Sequence, residues 1–70
     1  MIVFVITENI LTDNYTNVEV YQNEAEARER VAGLIDEYQL DPSEVIENGN
    51  NWYDANWERF DITLVETEVK

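Results

Sequence analysis

Two residue types are missing from this chain, and each absence excludes a kind of chemistry. None of the 70 residues is cysteine, so neither a disulfide nor a thiolate metal site can hold the fold together. There is no histidine either, which removes the most common general base and metal ligand. The two glycines are too few for a loop that cradles a phosphate. We therefore expect a protein that is not an enzyme and has no catalytic residue, cofactor or metal.

Long hydrophobic runs are also missing. The first ten residues, MIVFVITENI, are apolar but lack the basic start and the small-residue cleavage site of a signal peptide, so we interpret them as a strand. No run approaches the roughly 18 apolar residues that a membrane span needs. Because the lack of cysteine suits a reducing compartment, the sequence predicts a cytoplasmic protein.

Positive charge is scarce. Sixteen acidic residues face four basic ones, for a net charge of −12. Such a surface repels nucleic acid and anionic membranes and attracts basic partners. A plainer interpretation is that the acids only keep a small protein in solution. Seventy residues make a single domain, 1–70, and regularly spaced apolar residues distinguish it from a disordered acidic tail.

Three stretches have the pattern of β-strands. Residues 2–7 are apolar on both faces, which is typical of a central strand. In residues 16–21, two valines alternate with Glu19 and Tyr21, which indicates a strand with one solvated face. Residues 58–69 place alternate apolar side chains on one face. These stretches predict three strands.

Two stretches have the pattern of helix starts. Asn23 and Glu26 form a capping box ahead of an apolar stripe, which predicts a helix that runs to about Gln39. Asp41 and Pro42 begin a second, short helix that Asn48-Gly49 would end. We interpret the segment that follows as irregular.

The order of these elements predicts an α+β domain. Its sheet would be a three-stranded, antiparallel-type mixed sheet of order 2-1-3, with one long helix on one face and a short second helix. The long helix is expected to cover the face with Phe4, Val18, Val20, Phe60 and Ile62. The opposite face, which would carry Val3, Val5, Tyr21 and Val65, needs another cover.

Three aromatic residues, Trp52, Tyr53 and Trp57, stand close together in the irregular segment. Tryptophan and tyrosine often dominate the energetics of protein interfaces, so these residues are candidates for binding a partner. The alternative is that the two tryptophans cover the open face of the sheet. If they do not, a second subunit is the remaining cover.

Three sequence stretches, FVITE, VEVYQNEAEA and FDITLVE, resemble those of short acidic proteins of phages and Gram-positive bacteria. The resemblance implies a β-β-α-β fold. In its size and acidity the chain is also similar to phage anti-restriction and anti-CRISPR proteins that mimic DNA, which implies an inhibitor encoded by a phage or mobile element. Neither resemblance assigns a functional residue.

The sequence therefore predicts a non-enzymatic protein-binding module whose acidic surface occupies the basic, nucleic-acid-binding site of another protein. The candidate partner-binding residues are Glu24, Asp36, Glu37, Asp41, Glu44, Glu47, Trp52, Tyr53 and Trp57. The alternative is a small structural or accessory domain that forms a homodimer and is acidic only for solubility. Neither hypothesis involves direct binding of nucleic acid or a membrane. Acids gathered on one side would favour the first, and scattered acids the second.

Overall fold

The computed structural model describes residues 1–56 and 59–69, which fold as one antiparallel sheet and one α-helix. The elements are β1 (Ile2–Ile10), β2 (Tyr15–Tyr21), α1 (Glu24–Asp36), a 3₁₀ helix (Pro42–Glu44), β3 (Val45–Asn48), β4 (Asn51–Asp54) and β5 (Phe60–Glu68). The strand order is β2-β1-β5-β4-β3, and each neighbouring pair is antiparallel.

The predicted fold class was wrong in its strand count and in its second helix. The neighbours of β1 are β2 and the last strand, as in the predicted order, but β4 and β3 extend the sheet beyond them. The predicted irregular segment contains β4, and most of the predicted second helix is β3. Asn48-Gly49 is part of the turn that joins these two strands. Gly49 has a φ of 63°, a left-handed conformation that glycine adopts without steric cost.

Both predicted helix caps are formed, although they lead to different outcomes. The Asn23 side chain accepts the backbone N–H of Glu26 at 3.2 Å, and α1 follows for 13 residues. The Asp41 side chain accepts the backbone N–H of Ser43 at 3.0 Å, but only three residues of 3₁₀ helix follow. The second helix goes no further because the chain from Val45 onward is hydrogen-bonded to β4.

The helix α1 covers one face of the sheet, which we call the inner face; the opposite one is the outer face. Residues with even numbers in β1, β4 and β5 and with odd numbers in β2 and β3 lie on the inner face. The core between helix and sheet consists of Ile6, Ala27, Val31, Leu34, Trp52, Phe60, Ile62 and Leu64. Phe60 and Ile62 therefore lie under the helix as predicted.

The prediction that α1 covers Val18 and Val20 was wrong, as was the placement of Tyr21 on the open face. The register pairs Glu19 with Ile6, so β2 turns Glu19 inward and its valines outward. The Arg30 side chain, which extends from α1, donates to Glu19 at 2.9 Å and so offsets the cost of placing a carboxylate on this face. The alternation along β2 defined its two faces correctly but did not say which one the helix covers.

Three side chains fix α1 over the sheet. Near its start, the Arg28 guanidinium donates to the Asn50 side chain, between β3 and β4, at 2.9 Å. Arg30 reaches β2 on the opposite side through Glu19. Beyond the helix end, the Tyr38 ring stacks on Phe60 with centroids 4.6 Å apart. The helix is thus tied to both sides of the sheet.

Candidate protein-interaction surfaces

The outer face of the sheet carries almost no charge. Its strand residues are Val3, Val5, Thr7, Asn9, Thr16, Val18, Val20, Ile46, Asn48, Asn51, Tyr53, Asp61, Thr63, Val65 and Thr67. Asp61 is the one charged residue in this set, and the Asn51 side chain donates to it at 2.5 Å. Valine and threonine make up most of the rest.

The acidic residues are concentrated on the helix-bearing side. The inner face, α1 and the C-cap residue of α1 together hold Glu8, Glu19, Glu24, Glu26, Glu29, Asp36, Glu37, Glu47, Asp54, Glu66 and Glu68. Asp41 and Glu44 follow at the 3₁₀ helix. The negative charge of the described residues therefore lies mainly on one side of the molecule.

Four of the predicted partner-binding acids lie where α1 ends and the 3₁₀ helix begins; we call Asp36, Glu37, Asp41 and Glu44 the acidic corner. All four are exposed. The last turn of α1 contains no basic residue. The carboxyl end of a helix carries a partial negative charge of its own, which adds to that of the four carboxylates. Hydrogen bonds from Ser43 lower the pKa of Asp41, so it is firmly ionised at neutral pH.

A shallow hollow of about 360 Å³ lies in the acidic corner. Its apolar lining includes Ile35, Leu40, Pro42 and Val45, and Asp36 also lines it. An apolar wall beside a carboxylate suits a long basic side chain, whose methylene stem packs on apolar surface while its charged head meets the acid. No local sequence pattern predicts this hollow, because it exists only where the end of α1 meets β3.

The remaining predicted residues lie elsewhere. Glu24 is at the start of α1, where it accepts from Arg28 at 3.1 Å. Glu47 accepts the indole N–H of Trp52 at 2.7 Å. Trp52 is only 7% exposed and belongs to the core, so it does not cover the outer face and leaves little surface for a partner. Tyr53 lies half-buried on the outer face, and Trp57 is outside the described residues.

The two helix arginines are engaged away from the acidic corner. Arg30 donates to both carboxylate oxygens of Glu19, at 2.9 and 3.1 Å. Together with the Tyr21 hydroxyl, which donates at 2.7 Å, Arg30 lowers the pKa of Glu19 to about 2. Arg30 and Glu26 are four residues apart, a spacing that allows an intrahelical ion pair, but the structure pairs Arg30 with Glu19. The sequence could not reveal this partner, because it comes from a neighbouring strand.

Two other kinds of site are absent from the described part of the chain. Within residues 1–56 and 59–69, no three acidic side chains are gathered in a way that could hold a metal ion. The helix in that same part is too short and too polar to cross a membrane. Comparisons with protein families, curated proteins and solved structures gave no match. The indications of function therefore come from the surfaces described above.

Proposed function

We propose that this protein is a non-enzymatic binding module that docks its acidic corner on a basic surface of another protein, in the manner of an inhibitor that occupies a nucleic-acid-binding site. The observation that carries the proposal is the one-sided distribution of charge. Acids concentrate on the helix-bearing side and the outer face has almost none. Acidity that served only solubility would not need this separation.

The position of the acidic corner supports a binding role. Carboxylates at the carboxyl end of a helix are unfavourable by about 0.3–1 kcal/mol each, because they meet the negative end of the helix dipole. Asp36 and Glu37 occupy that end without a basic residue in the last turn. The same two acids near the start of a helix would serve solubility equally well and would stabilise it. A cation supplied by a partner would relieve the repulsion at this end.

The charge density is comparable to that of one side of a DNA duplex. The longest dimension of the molecule is 37 Å. A duplex of that length carries about 22 phosphates, and a protein bound to one side of it meets about half of them. The net charge of −12 is of the same size. A basic groove that accepts nucleic acid could thus accept this surface, and we place the encounter in the cytoplasm.

Charge reversal with a matched control tests the proposal. The corner variant is Asp36→Lys/Glu37→Lys, and the control is Glu66→Lys/Glu68→Lys, which makes the same change in net charge. The control residues Glu66 and Glu68 pair with Phe4 and Ile2, near the start of β1. The acidic corner is nearer the other end of that strand, where Glu8 accepts the hydroxyl of Tyr38, the residue after Glu37. With each protein immobilised in turn, proteins retained from a bacterial lysate are eluted with salt from about 50 to 500 mM.

We expect the wild-type chain to retain a nucleic-acid-binding protein that elutes as the salt concentration rises. Adding the wild-type chain should also displace a labelled DNA duplex from that protein. The corner variant should weaken this binding by about tenfold or more, and the control by less than about threefold. Equal losses from both variants would mean that diffuse charge alone drives retention. Retention that does not change as the salt concentration rises would contradict the proposal.

A further inference from the structure

The apolar part of the outer face is organised as rows across three strands. Val5 of β1 lies directly opposite Val20 on one side and Val65 on the other. In the next row, Thr7 lies between Val18 and Thr63. Val20 is 60% exposed and Val65 is 52% exposed, so valine methyl groups are in solvent on the edge strand β2 and on the central strand β5. Exposed β-branched residues in such rows are the usual inner surface of a two-sheet sandwich.

We infer that a second copy of this chain packs on the outer face, sheet against sheet, to form a twofold dimer. This proposal does not depend on the proposed function, because it uses the opposite side of the molecule. A second copy is the proposed occupant because the outer face is suited to pair with itself in the placement of its valines, in its area and in its charge.

The valine row can pair with itself in either twofold arrangement. Val5 is at its centre, with one valine on each flank. A twofold axis between the sheets and along the strands places Val5 over its equivalent and Val20 of one copy over Val65 of the other. An axis across the strands again places Val5 over its equivalent and sets each flanking valine over its own. In both arrangements the two copies use the same patch, and such isologous contacts give a closed dimer that adds no further subunits.

The area of the face is sufficient. The strands β2, β1 and β5 have seven, nine and nine residues, and β3 and β4 add four each. Each residue of a sheet occupies about 16 Å² of its plane, from the rise along a strand and the spacing between strands, so the face measures about 500 Å². Two such faces bury about 1,000 Å² in total, which is the lower bound for a specific interface.

Charge also favours a second copy as the occupant. Two chains of net charge −12 repel each other, and the nearly uncharged outer face is where they can approach with the least repulsion. Packing there leaves the acidic layers on the two far sides of the sandwich. An anionic lipid surface, by contrast, would face the full repulsion of the chain, and the strand residues described on the outer face include no basic side chain to offset it. Salt should therefore strengthen the dimer by screening the repulsion that remains.

Sedimentation equilibrium of the full chain tests the inference. The variants are Val20→Lys and Val65→Lys, which place a charge in the valine row while lowering the net negative charge. A weaker dimer could then not result from greater electrostatic repulsion between the two chains. The matched control is Ile2→Lys, which makes the same charge change at a residue that is 50% exposed but on the inner side of β1. Circular dichroism checks that each variant is folded.

We expect the wild type and Ile2→Lys to be dimers at about 100 µM protein, with a dissociation constant that falls several-fold as salt rises from about 50 to 500 mM. Val20→Lys and Val65→Lys should be monomers under the same conditions. A folded wild-type chain that stays monomeric at the highest salt would overturn the inference. So would a dimer that survives both substitutions. Either result would leave the lysate experiment on the acidic corner unaffected.

Discussion

The two faces of the sheet differ in how many acidic residues they carry and in how those acids are bound. On the inner face, Glu8 is buried yet accepts the Tyr38 hydroxyl at 2.8 Å, and Glu19 is held by Arg30. Among the described residues, no buried side-chain nitrogen or oxygen lacks a hydrogen-bond partner. The outer face has a single carboxylate, Asp61. Some of the acids in this chain are therefore structural, since each buried one needs its own donor.

The largest difference between the faces should appear when one apolar residue is truncated on each. Ile6 is 1% exposed on the inner face, and Ile6→Ala should lower the free energy of unfolding by about 3–4 kcal/mol. Val20→Ala on the outer face should lower it by about 0.5 kcal/mol. Urea denaturation at low micromolar concentration, where association is minimal, measures both. If Ile6→Ala does not fold, Ile6→Val should cost about 1 kcal/mol. Equal costs at the two sites would mean that the faces are equally buried in solution.

Removing the donor of a buried acid should have the next largest effect. Tyr38→Phe keeps the ring that stacks on Phe60 but takes away the hydroxyl that Glu8 accepts. A buried carboxylate that loses a hydrogen bond costs about 1–3 kcal/mol, and thermal unfolding would measure it. Burial and the contact with Glu8 also raise the pKa of Tyr38, so its hydroxyl remains a donor in mildly alkaline solution. Tyr15→Phe, on an exposed side chain, is the control and should change little.

The ion pair of Glu19 predicts a pH dependence. Its folded pKa of about 2 is below the ordinary 4.5, so the pair stabilises the fold above about pH 4.5 and loses that effect as the pH falls towards 2. Because Arg30 is partly exposed and solvent screens the pair, we expect Glu19→Gln to cost about 1 kcal/mol at pH 7. The difference from wild type should shrink towards zero near pH 2. A difference that is constant from pH 7 to pH 2 would contradict this assignment.

The smallest effect should come from the exposed pair on the helix surface. Glu24 and Arg28 are one turn apart, and both side chains are about half exposed. Glu24→Gln should lower the free energy of unfolding by only about 0.3–0.5 kcal/mol, and salt should reduce the difference further. Urea denaturation at low and high salt would measure it. A cost similar to that of Glu19→Gln would show that burial does not decide the strength of these pairs.

The sequence predicted the features of the fold that depend on neighbours along the chain. The caps at Asn23 and Asp41 are made by side chains two or three residues away from their partners, and both were found. The strands β3 and β4 were missed because four residues each are too few for a clear alternation. The register of β4 with β5, which decides that Trp52 is buried, involves residues about ten positions apart. The covered face of β2 was likewise set by a distant residue, Arg30.

The candidate acids were easier to predict than their arrangement. Asp36 and Glu37 were candidates on the exposed face of the long helix, and Asp41 and Glu44 on the predicted second helix. The structure places all four at one corner. The hollow beside them depends on how β3 packs against the end of α1, which no local pattern specifies. The role of these acids in binding a partner stays a prediction until the charge-reversal variants are measured.

The pairing of β1 with β5 has a consequence for how the chain folds during synthesis. Val5 and Val65 are direct neighbours in the sheet although about 60 residues separate them. At about 5–20 residues per second, a ribosome needs about 3–12 s to make that stretch. Until then β1 has only β2 beside it, and an isolated two-stranded hairpin is barely stable in water. The strand β1 therefore emerges well before β5, and its apolar side chains stay uncovered until the strand that completes the core is made.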